Sequence, residues 1–351
     1  MAATMMLKRK TQTVINHSAN YPKAVTIIPE DDAFHGSMNF VDVEWWYFDA
    51  VFDNGYSIFL GIRTIHIGNS GIVMSHFEIY NKGKVEFEKL QTNLFRDFQT
   101  SRDTPLVKLC GNKVIEFDEE HYKKTGEWRY TISFMIGKHA ICLTLTGITK
   151  GWKIETPKNS WAVALPKAEV TGTITVHGVE IPVHGIGYHD HNWDYSFLTT
   201  SFSKIGWYWG RIIGNTVNII WAKTMDTPEK SDLLAIINSK KDSLRGKEFY
   251  TINPANISFT TKKFVFSHRR WTPTEFVLHI KDKVSDDEIP VDIDITMKAD
   301  YFQHSRIFTA HYWRYHVTTT GKMSVGSLTE EIENTLQILE YLSFKSQGRR
   351  T

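Results

Sequence analysis

Apolar and polar residues alternate with a period of two through much of the chain. Over residues 291–297, Val291, Ile293, Ile295 and Met297 fall on one face, and Asp292, Asp294 and Thr296 on the other. That is the pattern of a strand with one wet side. Ile141, Leu143 and Leu145 alternate with Cys142, Thr144 and Thr146 in the same way. Phe276, Leu278 and Ile280 alternate with Val277, His279 and Lys281, and Trp313, Tyr315 and Val317 with Tyr312, Arg314 and His316. Turn signals separate the runs: Asp53-Asn54-Gly55, Asn81-Lys82-Gly83, Gly111-Asn112 and His177-Gly178. Residues 171–176 and 180–185 read as the arms of a hairpin. Short strands with frequent turns predict antiparallel barrels or sandwiches. The strand–helix alternation of a parallel sheet is missing.

One helix is predicted, at the C-terminal end. Ser327 and Glu330 have capping-box spacing, and Leu328, Ile332, Leu336, Leu339 and Leu342 follow at helical intervals. The expected organisation is a flexible polar arm over 1–30, β domains over 31–184 and 185–326, and a helix over 327–347 packed on a barrel wall. The predicted fold class is all-β, mainly antiparallel, with two barrels or sandwiches and a C-terminal helix.

Length and charge narrow the function. A chain of 351 residues fits two domains. Lys and Arg number 41 against 39 Asp and Glu, with no basic stripe to neutralise phosphates, so no nucleic-acid partner is expected. The two cysteines, Cys110 and Cys142, form no CxxC and no disulfide framework, as expected in the reducing cytoplasm. The first residues lack the apolar core of ~7–15 residues that a secretion signal needs, and no apolar run is long enough to span a membrane. Walker A, Rossmann, HExxH and GxSxG signatures are absent, so no cofactor and no metal are expected.

Three segments carry candidate chemistry. In Glu44-Trp45-Trp46-Tyr47-Phe48-Asp49, an extended backbone points Trp45 and Tyr47 one way and Trp46 and Phe48 the other. Both faces must then be apolar, which suits a strand with a pocket on one side and packing on the other. In His184-Gly185-Ile186-Gly187-Tyr188-His189-Asp190-His191-Asn192-Trp193, the residues Tyr188, Asp190 and Asn192 share one face and His189 and His191 the other. Three readings compete here. One is a metal site on His189, His191 and His184. Another is a buried hydrogen-bond network at the domain junction. The last is an acid site in which burial keeps Asp190 protonated near neutrality. The third segment is Gly206-Trp207-Tyr208-Trp209-Gly210-Arg211. It would add pocket wall through Trp207 and Trp209, with Arg211 paired to Asp190 or Glu44, or solvated.

Residues 44–55 (EWWYFDAVFDNG) and 185–195 (GIGYHDHNWDY) carry a family resemblance. They resemble the lipocalin-like two-domain proteins that include carotenoid 1,2-hydratase, an architecture to which fungal Diels–Alderases and other terpenoid or polyketide cyclases are similar. The resemblance spans residues 35–320. Family members often read DHNWG where Asp194 stands in place of the glycine, and the hydratases carry a His–Trp pair where this chain has Ser160-Trp161. The resemblance implies two lipocalin-like barrels, with Tyr188 and Asp190 in the active-site region near Trp45 and Trp46.

The chemistry it implies is cofactor-free conversion of a long isoprenoid or polyene. Asp190 would protonate an alkene, with hydration or cyclisation to follow. Tyr188 and His191 would assist as catalytic partners. Trp45, Trp46, Trp193, Trp207 and Trp209 would wall the pocket and face the cation, with Glu44 and Asn192 as its polar contacts. The expected partner is a small apolar substrate, collected through peripheral contact with a membrane. A non-catalytic carrier and a pericyclase are the alternatives. A dry pocket with no carboxylate facing it favours the carrier, an Asp or Glu projecting among aromatics favours an enzyme, and a pericyclase would need shape and hydrogen-bond donors rather than a strong acid.

Overall fold

The computed structural model describes residues 21–36, 41–156, 159–196, 200, 204–227, 230–239, 247–284, 289–307 and 309–345. All of its long elements are antiparallel strands, as the alternation predicts. The first sheet begins with β1 (Val25–Thr26), β2 (Asp42–Phe52), β3 (Tyr56–Ile67), β4 (Ser70–Asn81) and β5 (Lys84–Leu94). It continues through β6 (Phe98–Thr100), β7 (Leu106–Leu109), β8 (Asn112–Phe117), β9 (Arg129–Ile136) and β10 (His139–Gly147). It closes with β11 (Trp152–Glu155), β12 (Ser160–Val176) and β13 (Val179–Ser196). The second sheet holds β14 (Gly206–Ile213), β15 (Val217–Met225), β16 (Ser231–Ser239), β17 (Phe249–Thr251) and β18 (Ile257–Ser267). Its remaining strands are β19 (Arg270–Val284), β20 (Ile289–Ile307), β21 (Ala310–Val325) and β22 (Leu328–Ser343).

The first sheet runs β5-β4-β3-β2-β13-β12-β10-β9-β8-β7-β6 and curls into a nearly closed barrel. Its interior is filled by Trp46, Phe48, Leu60, Ile62, Phe77, Leu143 and their neighbours, so the barrel is a packed core rather than an open cup. The second sheet runs β17-β16-β15-β14-β22-β21-β20-β19-β18 around its own core of Ile219, Trp221, Leu278, Ile293, Ile295 and Tyr315. A third apolar layer joins the sheets: Tyr47, Phe59, Trp152 and Tyr188 from the first meet Trp209, Ile220, Ile236 and Ile338 from the second. Among the described residues one α-helix forms, α1 (Glu119–Thr125), capped by Asp118 and ended by Gly126 at φ +75°. No helix of the described residues is long and apolar enough to cross a membrane.

Three expectations on organisation need correction. The predicted C-terminal helix is the strand β22, with residues 346–347 outside the described residues. Opposite β21, residues Ile332 and Leu328 pair with Gly321 and Val325, whereas Thr335, Leu339 and Tyr341 pair with Thr319, Tyr315 and Trp313. Glu333 and Asn334 therefore bulge, and the core face passes from even to odd positions. Leu336 and Leu342 lie on the opposite face, with Ile338, which packs between the sheets. A bulge and two apolar faces together imitate a helical period. Glu330 caps no helix; it accepts hydrogen bonds from the backbone N–H of Thr216 (3.1 Å) and from the Thr216 hydroxyl (3.0 Å).

The boundary expected at 184/185 falls inside β13, which pairs with β2 and β12 along its length, so the first sheet extends to Ser196. The loose arm expected over 1–30 is docked where it is described: Val25 and Thr26 pair with Lys153 and Trp152, and Ile27 is buried. Residues 1–20 lie outside the described residues.

Candidate functional site

The two aromatic segments of the first sheet are neighbours. β13 pairs with β2 so that Asn192 lies opposite Trp45, His191 opposite Trp46, Asp190 opposite Tyr47 and Tyr188 opposite Asp49. Alternation then sorts the candidate residues onto two faces, and only one faces the second sheet.

The inner face carries Glu44, Trp46, His189, His191 and Trp193. His189 Nδ1 donates to the Tyr47 carbonyl (2.9 Å), which can only accept, and its Nε2 faces Asp32 (2.9 Å). His191 Nε2 lies 2.9 Å from Glu44, which also accepts the backbone N–H of His35 (2.8 Å) and Gly36 (3.1 Å). Burial would raise the Glu44 carboxyl, but the bonds from His191 and His35 hold it below its ordinary value. Trp46 stacks on His191 (4.4 Å) and donates to the Asp32 carbonyl; Trp193 stacks on His35 (4.0 Å). His35, Glu44 and His191 bring three donor atoms within 4.8 Å of one another, the spacing a cation needs. Glu44 would have to release bonds it already accepts. His184, the third ligand of the sequence-based metal reading, is exposed and pairs with Asp53 and Glu169. The buried hydrogen bonds His189–Asp32 and His191–Glu44 lie inside the first barrel, away from the second sheet, and so are not at the junction where the network reading put them. Trp46, Trp193, Glu44 and His191, expected in the pocket, are on the wrong face for it.

The outer face carries Tyr188, Asp190 and Asn192. Asp190 accepts three hydrogen bonds: from the Tyr188 hydroxyl (2.6 Å), Trp161 Nε1 (3.0 Å) and Asn192 Nδ2 (3.0 Å). Burial pushes its carboxyl up to about 7 although the bonds from Tyr188 and Trp161 oppose the shift. Trp209 packs at a tilt on Tyr188 and Tyr47, inside the layer between the sheets.

Beyond these residues the layer opens into a cavity of about 530 Å³, including its mouth to solvent. Val43, Trp45, Arg63, Ile65, Tyr195 and Ser196 line it from the first sheet, and Trp207, Ile307, Ala310, Leu342 and Phe344 from the second. Trp45 and Arg63 are register partners on β2 and β3, as are Val43 and Ile65. Tyr195 reaches this face through a bulge: the β13–β2 register shifts between Asn192 and Tyr195, with Asp194 at φ +63°. Tyr195 then packs on Trp45 (4.6 Å). Of the expected pocket residues, Trp45 and Trp207 line the cavity. Asp190, Tyr188, Asn192 and Trp209 do not line it. Burial raises the Tyr195 hydroxyl well above its ordinary value, and Asp190 is close enough for its charge to add to the shift.

Two buried guanidinium groups tie the sheets together beside the cavity. Arg211 pairs with Asp49, rather than with Asp190, Glu44 or solvent. Arg314 bonds Glu78 across the interface and Glu340 on its own sheet (2.9 Å), while Tyr47 donates to Glu340 (2.7 Å). Despite its burial, Glu78 is held well below the ordinary carboxylate range by Arg314 and His76.

Arg63, Tyr195, Trp161 and Phe344 escaped the sequence reading. Arg63 left a signal, as a lone charge on the face that it shares with Phe59 and Ile65. Tyr195 left none, because simple alternation puts it on the inner face.

No protein-family model and no curated protein matches this sequence. Solved structures do. A protein assigned as AttH (NE1406) from Nitrosomonas europaea superposes with a TM-score of 0.60 at 16% identity, over 91% of this chain and 97% of its own. CghA with Sch210972 gives 0.58 at 10% identity, over 94% and 96%, and CghA alone gives 0.52 at 10%, over 93% and 95%. At such identities the likeness shows a shared fold, a lipocalin-like barrel architecture that extends over both sheets.

Proposed function

We propose that this protein is a lipocalin-like enzyme that folds a long apolar polyene or isoprenoid in the cavity between its sheets and closes a ring in it. The observation that carries the reading is the cavity wall. Trp45, Trp207, Tyr195 and Phe344 surround apolar space, and among the described residues no carboxylate lines it. The 530 Å³ counts open solvent at the mouth and about 70 Å³ of it is enclosed, so a long ligand would lie partly in the mouth. A wall of this kind preorganises a flexible chain into one reactive conformer, which removes much of the entropic part of a barrier. Pericyclic ring closure needs little more, since bonds redistribute within one molecule. CghA, of the same fold, holds Sch210972.

A second reading is acid-catalysed cyclisation or hydration, favoured by the burial of Asp190, which pushes its carboxyl up to about 7. For that role it must lose a partner and reach the cavity past Tyr195.

The test is identification by mass spectrometry of apolar molecules extracted from the purified protein, followed by incubation with the linear polyene that corresponds to them. Loss of conjugated-diene absorbance is expected, slowed ~10-fold or more in Trp45→Ala. Return of the compound unchanged would make the protein a carrier. Asp190→Asn separates the two enzyme readings: turnover survives if shape does the work and falls ~10²–10⁴-fold if Asp190 is the acid.

A further inference from the structure

Three arginines reach the region between the sheets, and two of them are matched by carboxylates. Arg211 has Asp49, and Arg314 has Glu78 and Glu340. Arg63 differs. Among the described residues it has no hydrogen bond and no ion pair; it lies over the face of Trp45, 5.6 Å from guanidinium carbon to ring centroid, and feels the charges of Tyr312 and Glu340 only at longer range. It is half-buried, and its neighbours on the cavity wall are apolar, aromatic or neutral polar. A charge withdrawn from water without a partner is costly, and a π face offsets only part of that cost. Burial draws its pKa down, yet a guanidinium starts high enough to keep its charge at neutral pH. Among the described residues, the fold thus holds a guanidinium with no ion-pair partner at one point of an otherwise uncharged, aromatic-walled cavity. Its planar fork of N–H donors suits an anion with two adjacent oxygens.

From this geometry we propose that the cavity takes an amphipathic anion, with a carboxylate-type head on Arg63 and an apolar body along Trp45, Trp207 and Phe344. Tyr195, Ser196 and Thr200 supply neutral hydroxyls on the same wall. The inference rests on the cavity as the ligand site and adds the charge of the ligand's head. It also gives the ligand a direction, since only one point of the wall attracts an anion.

The experiment compares two probes of one shape, cis-parinaric acid and its methyl ester, by fluorescence titration of the full chain. The wild type is expected to bind the acid at least ~10-fold more tightly than the ester. Arg63→Gln should abolish that preference by weakening the acid alone, and Arg63→Lys should restore part of it, because the charge returns without the fork. The unliganded Gln variant should melt no lower than the wild type, since a charge with no ion-pair partner among the described residues has been removed. Equal binding of acid and ester by the wild type overturns the proposal and leaves the cavity reading standing. So does a preference that persists in Arg63→Gln. Binding of neither probe overturns both. Trp45→Ala, expected to weaken acid and ester alike, confirms that the probes occupy this cavity.

Discussion

Asp194 decides which aromatic ring reaches the cavity. Its φ of +63° is a left-handed conformation that side chains other than glycine adopt at a cost, aspartate less than most. The bulge there shifts the register by one residue, so Trp193 points into the barrel and Tyr195 out of it. A glycine would adopt such a φ without cost, and a sequence showing Asp there hides the bulge. Asp194→Gly is expected to stay within ~0.5 kcal/mol of the wild type, relief of strain offsetting the lost bond from Ser160. Asp194→Val should cost ~1–2 kcal/mol and weaken cavity binding, as read from denaturant midpoints and probe titration. Asp190 makes a prediction with a sign. Its folded pKa of about 7 stands above the ordinary 3.8, so the fold keeps a proton that the unfolded chain releases. That contribution is present below pH ~4 and is lost as pH rises through ~7. Asp190→Asn cannot ionise. Its stability relative to the wild type should therefore climb between pH ~4 and ~7, by up to ~4 kcal/mol, and level off above. A difference flat in pH would show Asp190 ionised throughout.

At the scale of elements, the sequence was most legible where one face of a strand is wet. Val291, Ile293, Ile295 and Met297 are buried as their alternation predicts, and His177-Gly178 forms the two-residue turn between Val176 and Val179. It was least legible where a strand is buried on both faces. Ile338 and Leu342 of β22 pack towards the first sheet while Leu339 and Tyr341 fill the second core. Alternation disappears under such burial, and the bulge at Asn334 (φ +49°) shifts what is left of it. β13 and β2 escaped the same fate because their faces differ in chemistry, with imidazoles on one side and Tyr188 and Asp190 on the other. The bulge in β22 gives a direct test. Deleting Asn334 removes the extra residue, so one end of the strand must present its wrong face. Each displaced core residue costs ~2–5 kcal/mol, and a loss of more than ~3 kcal/mol or outright unfolding in urea is expected. Asn334→Gly, which keeps the bulge, should change stability by less than ~1 kcal/mol.

For the whole molecule, the cavity exists because the two sheets do not close on each other along their full length. The layer of Tyr47, Phe59, Trp209 and Ile338 sets their spacing, and the Arg211–Asp49 and Arg314–Glu78 pairs fix how one sheet lies on the other. None of this was visible in the sequence, where Arg211 had several partners to choose from and Asp49 was not among them. Partner choice across a sheet interface depends on register in both sheets at once. Ion pairs buried this deeply contribute little net stability, because desolvation consumes most of the attraction, yet breaking one exposes the full penalty for the group left behind. Arg211→Met should thus cost ~3–5 kcal/mol by leaving Asp49 buried without its cation. Adding Asp49→Leu to that variant should recover most of the loss, since two apolar side chains then fill the same space. The informative quantity is ligand affinity in the doubly substituted protein. If the pair serves to align the sheets, the double variant regains its melting temperature but binds the cavity probe more weakly, because Trp45 and Trp207 are no longer held in register across the gap. Recovery of stability and affinity together would reduce Arg211–Asp49 to packing and place the alignment of the cavity walls on Arg314 and the apolar layer.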